Sequence, residues 1–306
     1  MYPDAFKLLK KCSLCPRKCG VNRFKGEKGF CRAGINPVVY AYMPHFGEEP
    51  AISGATGSGT IFVSNCTLRC VYCQNYKFSQ LGEGKELSIE LLAQFMLELQ
   101  DKGCHNINLV TPTHYIPQIL KAISIAISKG LHIPIVYNTS GYESVETLTV
   151  LDGIVDIYLP DMRYGDDRLA ERYSCAPNYT KINQEAIKEM FRQVGETKIN
   201  KEGIIKSGLI IRHLVLPNNL ARTEEVLSFI AKNLSKSTYI SLMSQYFPYH
   251  LAKGLPELAR RITPEEYNYA VKLLDKYGLN NGWIQEERGL DNLAGVNIES
   301  NLVKNS

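Results

Sequence analysis

The sequence predicts an α/β fold built on a parallel sheet, and three observations predict it. Six short β-rich runs recur along the chain, helical patterns separate most of them, and each run is bounded by Gly, Pro, Asn or Ser. Strands alternating with helices imply parallel pairing through right-handed crossovers. A doubly wound open sheet and a full or partial barrel both satisfy this pattern, and periodicity does not separate them. In either case the ligand sits at the carboxyl ends of the strands, so the residues just after each strand carry the interest.

In chain order, residues 1–50 stand apart as a Cys-rich arm, with Pro, Gly and Lys between the cysteines and little periodicity; residues 51–306 form the barrel or sheet domain. Strands are expected at 59–65 (GTIFVSN), 105–110 (HNINLV), 132–138 (HIPIVYN), 153–160 (GIVDIYLP), 208–217 (GLIIRHLVLP) and 238–244 (TYISLMS). A helix over 88–102 has Ser88 as its cap and Gly103 as its stop. Over 181–195, Ile182, Ala186, Ile187, Met190, Phe191 and Val194 fall on one helical face. Helices are also expected at 222–234 and 263–278, the second capped by Thr263 with Pro264 in the first helical position.

Composition narrows the function classes. The 306 residues are 44% hydrophobic and 22% charged, which allows a core of ordinary size without disulfide staples. The net charge of +4 is mild and no block of five or six like charges occurs. Nucleic-acid binding through a basic patch therefore has no support, although the charge leaves room for a modest preference for an anionic small molecule. No run of eighteen apolar residues suggests a membrane span, and the first residues lack the pattern of a secretory leader. The expected location is the cytoplasm, where nine cysteines are better read as metal ligands or reactive thiols than as disulfides.

The segment SNCTLRCVYCQN (64–75) places Cys66, Cys70 and Cys73 directly after the first expected strand. Four thiolates saturate an iron–sulfur cluster, whereas three leave one iron without a protein ligand, open to a substrate. Zinc ligands completed by a histidine, or chance, are the plainer alternatives.

The pattern Cys66-x3-Cys70-x-Tyr72-Cys73 resembles the signature of the radical S-adenosylmethionine (SAM) enzymes. Its flanks resemble the pyruvate formate-lyase activating enzyme-like branch, as do NLVTPTHY (108–115), YNTSGYE (137–143), IYLPDMRY (157–164), IRHLVLPNN (211–219), SLMSQYFP (241–248) and GLNNGWIQE (278–286). This resemblance implies a partial (β/α)6 TIM-like barrel. It also implies a 4Fe–4S cluster on Cys66, Cys70 and Cys73, with SAM chelating the open iron. One electron from a flavodoxin- or ferredoxin-type donor then cleaves SAM to methionine and a 5′-deoxyadenosyl radical, which takes a hydrogen atom from the target.

Further cofactor-binding positions follow from the resemblance, with Tyr72 inside the motif among them. Relatives carry Gly-Gly-Glu after the second strand to hold the methionyl amine, but this chain has Thr111, Pro112, Thr113 and His114 there. Thr111 and Thr113 offer hydroxyls and a carbonyl instead; His114 is either a ligand contact or a satisfied loop histidine. Asn138, Thr139 and Ser140 stand where activating enzymes have Asp-Thr-Asn, and Asp161-Met-Arg163 where they have Asp-Leu-Lys. Asn138, Ser140 and Asp161 are thus implied contacts to SAM or a nearby monovalent cation; a helix cap or a pair with Arg163 is the alternative for Asp161. Arg212 resembles the group that meets the cofactor carboxylate, its neighbour His213 facing away on a regular strand. Tyr246 is placed on the adenine side or in the core.

In the arm, Cys12, Cys15, Cys19 and Cys31 form C-x2-C-x3-C-x11-C, with Gly20, Gly26 and Gly29 allowing tight turns. Four thiolates there suit structural zinc or a second, saturated iron–sulfur cluster. The arm is expected to cover the barrel mouth. Cys104 and Cys175 are expected to be buried small hydrophobes. The expected function is activation of a glycyl-radical partner protein. The alternatives are radical chemistry on a small molecule or peptide, and a non-enzymatic zinc-binding adaptor.

Overall fold

The structure, a computed structural model, describes residues 5–285 and 298–303. Its first half comprises β1 (Val38–His45), α1 (Pro50–Ser53), β2 (Ser58–Val63), α2 (Tyr76–Ser79), β3 (Lys85–Glu86), α3 (Ile89–Asp101), β4 (Ile107–Val110), α4 (Ile116–Ser128), β5 (Ile135–Thr139) and α5 (Val145–Leu148). The second half comprises β6 (Ile157–Pro160), α6 (Asp167–Ser174), α7 (Tyr179–Val194), β7 (Lys198–Ile199), β8 (Ile205–Leu214), α8 (Thr223–Asn233), β9 (Tyr239–Met243), α9 (Pro264–Tyr277) and β10 (Gly282–Ile284).

The strand order selects the barrel. Along the sheet it runs β10-β9-β8-β6-β5-β4-β2-β1-β3, with β7 paired to β8 alone. From β2 to β10 every neighbour along this path is parallel and the order follows the chain without reversing. A doubly wound sheet reverses at a switch point. The path ends at β3 and β10 without closing, so the barrel is partial.

Strand alternation sorts the side chains. On β5, Ile135 and Tyr137 pack outward under the helices while Val136 faces the lumen with Ile157 and Leu159 of β6 and Ile210 of β8. The period of two then turns Asn138, Asp161 and Arg212 inward, one step nearer the carboxyl ends. Outside, α3 and α4 cover β2 and β4, and α7, α8 and α9 cover β6, β8 and β9. The lumen is plugged from the other end by α1, whose Ala51 and Ile52 join Val136, Ile157 and Ile210.

All six expected strands form, each within four residues of its expected limits. Ser88 caps α3, its Oγ accepting from Leu91 N at 3.1 Å. Thr263 and Glu266 make a reciprocal capping box on α9, and Gly278 closes that helix in the left-handed region at φ 67°. The sheet also extends into the expected arm: β1 pairs antiparallel with β2 from His45↔Ser58 to Val39↔Val63, with a bulge between Val39 and Ala41. Cys104 is buried, but Cys175 is exposed, a correction to its expected core placement. It sits in the left-handed position that ends α6, φ 49°, at the surface. Among the described residues no helix is long and apolar enough to cross a membrane. Glu286, the last residue of the GLNNGWIQE segment, and the chain termini lie outside the described residues.

Candidate active site

At the end of β2 the chain turns through Asn65, which takes the left-handed φ of 73° that asparagine tolerates. The cysteine loop that follows is pinned from outside. Arg69 N donates to Ser174 O (3.0 Å) and Val71 N to Tyr173 O (2.8 Å), both carbonyls at the end of α6. Each cysteine sulfur meets a polar group. Leu68 N donates to Cys66 Sγ (3.3 Å), Ser174 Oγ and Arg163 Nη1 donate to Cys70 Sγ (3.1 and 3.5 Å), and Ser79 Oγ lies 3.1 Å from Cys73 Sγ. Burial, reinforced by Cys70 and Cys73, pushes the Cys66 thiol up to about 12. Thiolates form here only if positive charge is supplied among them. An iron–sulfur core supplies that charge, and the donors favour the thiolate, so this loop fits a cluster.

Beside the loop lies a cavity of about 660 Å³. Of the residues singled out in the sequence, Tyr72, Cys73, Asn138, Asp161, Arg212 and Tyr246 line it. Arg212 organises the polar wall: Nε donates to Asp161 Oδ1 (2.9 Å), Nη2 to Asn138 Oδ1 (2.6 Å) and Nη1 to Glu48 Oε2 (3.2 Å). Arg163 Nη2 donates to Asp161 Oδ2 at 2.6 Å. Since Arg163 also reaches Cys70, a continuous charged chain runs from Glu48 to the cysteine loop. Tyr72 and Tyr164 share a hydrogen bond through their hydroxyls at 2.6 Å, and the ring of Tyr72 meets that of Tyr246 edge-on. Tyr246 OH is spent on Leu258 O (2.7 Å), so only its ring is free for the cavity.

The remaining positions point elsewhere. Thr113 Oγ1 donates to Glu143 Oε1 (2.6 Å), and the buried carboxyl of Glu143 also accepts from Tyr137 OH and Thr139 Oγ1. His114 is fully buried, its Nε2 2.7 Å from Ser64 O, and burial pulls its pKa down to about 3. Ser140 is buried, and its carbonyl accepts from Tyr179 OH at 2.9 Å. Thr111 takes φ 57°, a rare conformation for a β-branched residue, with N bonded to Asn138 O (2.8 Å). None of these four is among the residues lining the cavity. His213 faces away from it, bonded to Met162 O and Thr223 Oγ1.

The arm lies against the cysteine loop. Arg17 Nε donates to Thr67 O (2.9 Å), Arg69 Nη2 to Phe30 O (2.6 Å) and Arg23 Nη1 to His114 O (2.6 Å). Cys12, Cys15 and Cys31 are buried and Cys19 is exposed; none of the four lines the cavity. Arg23 Nη2 lies 3.2 Å from Cys12 Sγ and 3.6 Å from Cys31 Sγ, donating to both. Among the described residues no three His, Cys, Asp or Glu side chains are placed to hold one metal ion.

Sequence reasoning missed Glu48 and Glu49. They precede α1, inside the stretch assigned to the arm, yet both line the cavity. Their only local signal is an acidic pair in FGEEP (46–50). Their position depends on where α1 enters the lumen.

A cysteine-bearing loop at the head of a parallel barrel, beside a cavity crossed by a charged network, is the arrangement expected of a radical SAM enzyme. The Radical SAM superfamily model matches residues 60–230, more than half of the sequence. The chain belongs to the radical SAM superfamily. It is 35% identical over 285 residues to the uncharacterized protein MJ0674 of Methanocaldococcus jannaschii, covering 90% of this chain and 78% of that one. A second protein of that organism, MJ0808, is 24% identical over 84% of this chain and 78% of its own length. Among solved structures, a radical SAM methyltransferase from Sphaerobacter thermophilus aligns with a TM-score of 0.50 and 18% identity, over 76% of this chain and 67% of that one. That likeness is one of fold.

Proposed function

We propose that this enzyme holds a 4Fe–4S cluster on Cys66, Cys70 and Cys73 and SAM on its open iron, and removes hydrogen from a target admitted to the cavity. The observation that carries this reading is the polar group met by each of the three sulfurs, in a loop whose Cys73 lines the cavity. Held by Cys66, Cys70 and Cys73, cluster and cofactor would supply one-electron chemistry for hydrogen removal, on this reading with the electron from a flavodoxin- or ferredoxin-type donor. The protein's own part is to bind, orient and exclude water. Arg163 couples Cys70 to Asp161. Arg212 retains N–H groups on its Nη atoms for a cofactor carboxylate beyond those given to Glu48 and Asn138. The ring of Tyr246 offers a flat apolar face.

Anaerobic reconstitution with iron and sulfide, followed by reduction in the presence of SAM, tests this directly. Iron near four atoms per chain for this site, with 5′-deoxyadenosine released, is the expected result. An iron-free protein, or one that leaves SAM intact, sinks it. The zinc-adaptor alternative predicts a colourless protein with zinc alone.

For the target, the first reading is a glycine of a partner glycyl-radical protein, supported by the sequence segments shared with the activating enzymes. Paramagnetic resonance of such a partner after incubation tests it; no glycine-centred signal counts against it. The second reading, a small molecule or peptide, is favoured by the acidic lumen base and by the TPTH segment (111–114) in place of Gly-Gly-Glu. It predicts that a metabolite, rather than a protein, stimulates 5′-deoxyadenosine release. In the arm, a closed tetrathiolate centre of zinc or iron–sulfur is part of the same proposal; forming it requires Cys12, Cys15, Cys19 and Cys31 to draw closer than they stand, around sulfurs two of which accept from Arg23.

A further inference from the structure

Three carboxylates and two guanidinium groups meet in the lumen. Asp161 takes Arg163 and the Nε of Arg212. Glu48 takes Arg212 Nη1 and the amides of Asn108 (3.0 Å) and Asn138 (3.4 Å). Glu49 is near enough to Arg212 to feel its charge but forms no direct ion pair among the described residues. Its side chain is only 7% exposed, and its Oε2 has no hydrogen-bond partner. It nonetheless lines the cavity. That oxygen is itself enclosed, so a turn of the side chain would be needed to present it to the cavity; a buried carboxylate oxygen without a donor is costly unless a ligand supplies one.

The surroundings of Glu49 say what kind of donor. Ser241 is a polar neighbour of its carboxyl and lines the same cavity. Ser241 is the register partner of Arg212 on one side and of Trp283 on the other. Parallel register partners present the same face, and Asp161, Arg212, Ser241 and Trp283 form one row across the sheet, all lining the cavity. Trp283 and Glu49 line the same cavity, and an indole face and a carboxylate each attract a cationic nitrogen. Burial pushes the Glu49 carboxyl up, against the pull of Arg212 and with the help of Glu48.

We propose that Glu49, with Ser241 and Trp283, forms a subsite for a protonated amine or guanidinium carried by the substrate. This rests on the reading of the cavity as the radical SAM site and adds the charge of the molecule that enters it. SAM also carries an ammonium group, so the test separates the two sources.

The probes are n-hexylamine and n-hexylguanidine, with n-hexanol as the neutral control. They are titrated into reconstituted holoenzyme at saturating SAM, and binding is followed by the emission of Trp283, the one tryptophan in the chain. SAM affinity is measured separately by equilibrium dialysis. The cationic probes are expected to bind roughly ten- to a hundredfold more tightly than the alcohol. Glu49→Gln, close in shape, should abolish that preference and leave SAM affinity and iron content unchanged, while Glu49→Asp should keep part of it. Equal binding of amine and alcohol by the wild type overturns the proposal. So does a Glu49→Gln variant that keeps the preference, or one that loses SAM affinity, which would assign the subsite to the cofactor. Because the titration does not read SAM cleavage, a protein that prefers amines but leaves SAM intact refutes the proposed reaction and not this subsite.

Discussion

Arg212 Nε donates to Asp161 Oδ1 across 2.9 Å, joining two adjacent parallel strands where their backbone pairing reaches its last bridge. The same guanidinium holds Glu48, so one side chain compensates two largely buried carboxylates. Replacing Arg212 with Met should cost about 3–5 kcal/mol, because both carboxylates lose their shared partner. Chemical denaturation would measure it. Arg212→Lys should recover part of the loss, since a point charge cannot reproduce the fork. An Arg212→Met variant as stable as the wild type would show that water already solvates the network.

Cys70→Ala removes the sulfur that Ser174 and Arg163 both approach. The variant should lose the iron of the barrel site and all 5′-deoxyadenosine formation, yet keep whatever metal the arm binds. Paired iron and zinc analyses of wild type and variant check this. Loss of both metals would mean that the two cysteine sets assemble as one unit.

Glu143 provides a pH signature. Burial, opposed by hydrogen bonds from Thr113, Thr139 and Tyr137, raises its carboxyl to about 7 from an ordinary value of 4.5. The folded state therefore holds a proton that the unfolded chain gives up. The associated stability is fully present below about pH 4.5, is lost as pH rises through about 7, and stays constant beyond. Glu143→Gln should remove this dependence, and its gain relative to wild type should reach on the order of 3 kcal/mol near neutrality. Urea midpoints across that range would show it; parallel curves for the two proteins would refute it.

Thr263 lies at the cap of α9, where its side chain accepts from Glu266 N at 3.3 Å while Glu266 accepts from Thr263 N at 2.8 Å. Thr263→Ala should cost about 1 kcal/mol with no change in SAM affinity. A thermal melt beside a binding measurement checks both halves.

What could be read before folding divides along physical lines. The six barrel strands were legible because each is a short apolar run between turn residues, and α3 and α9 because Ser88 and Thr263 are strong local caps. The cysteine loop was legible because ligand spacing is a local property. β1 was not: its residues follow a cysteine-rich stretch, and only Val39, Tyr40 and Ala41 within it are buried. Periodicity could not choose between open sheet and barrel, because that choice lies in which strands become neighbours. Glu48 escaped for the same reason, since its partners Asn108, Asn138 and Arg212 lie 60, 90 and 164 residues further on. Thr113 and His114 follow a strand as ligand residues do, but the turn at Thr111 sends them to Glu143 and Ser64 instead.

The base of the lumen has a practical consequence for anyone shortening this chain. The plug at α1 comes before the family-matched stretch, and β9 and β10 come after it. A fragment trimmed to residues 60–230 would keep every barrel cysteine, yet it would be a bottomless vessel missing one side. Water would then have free entry from below to the place where a radical must be kept dry.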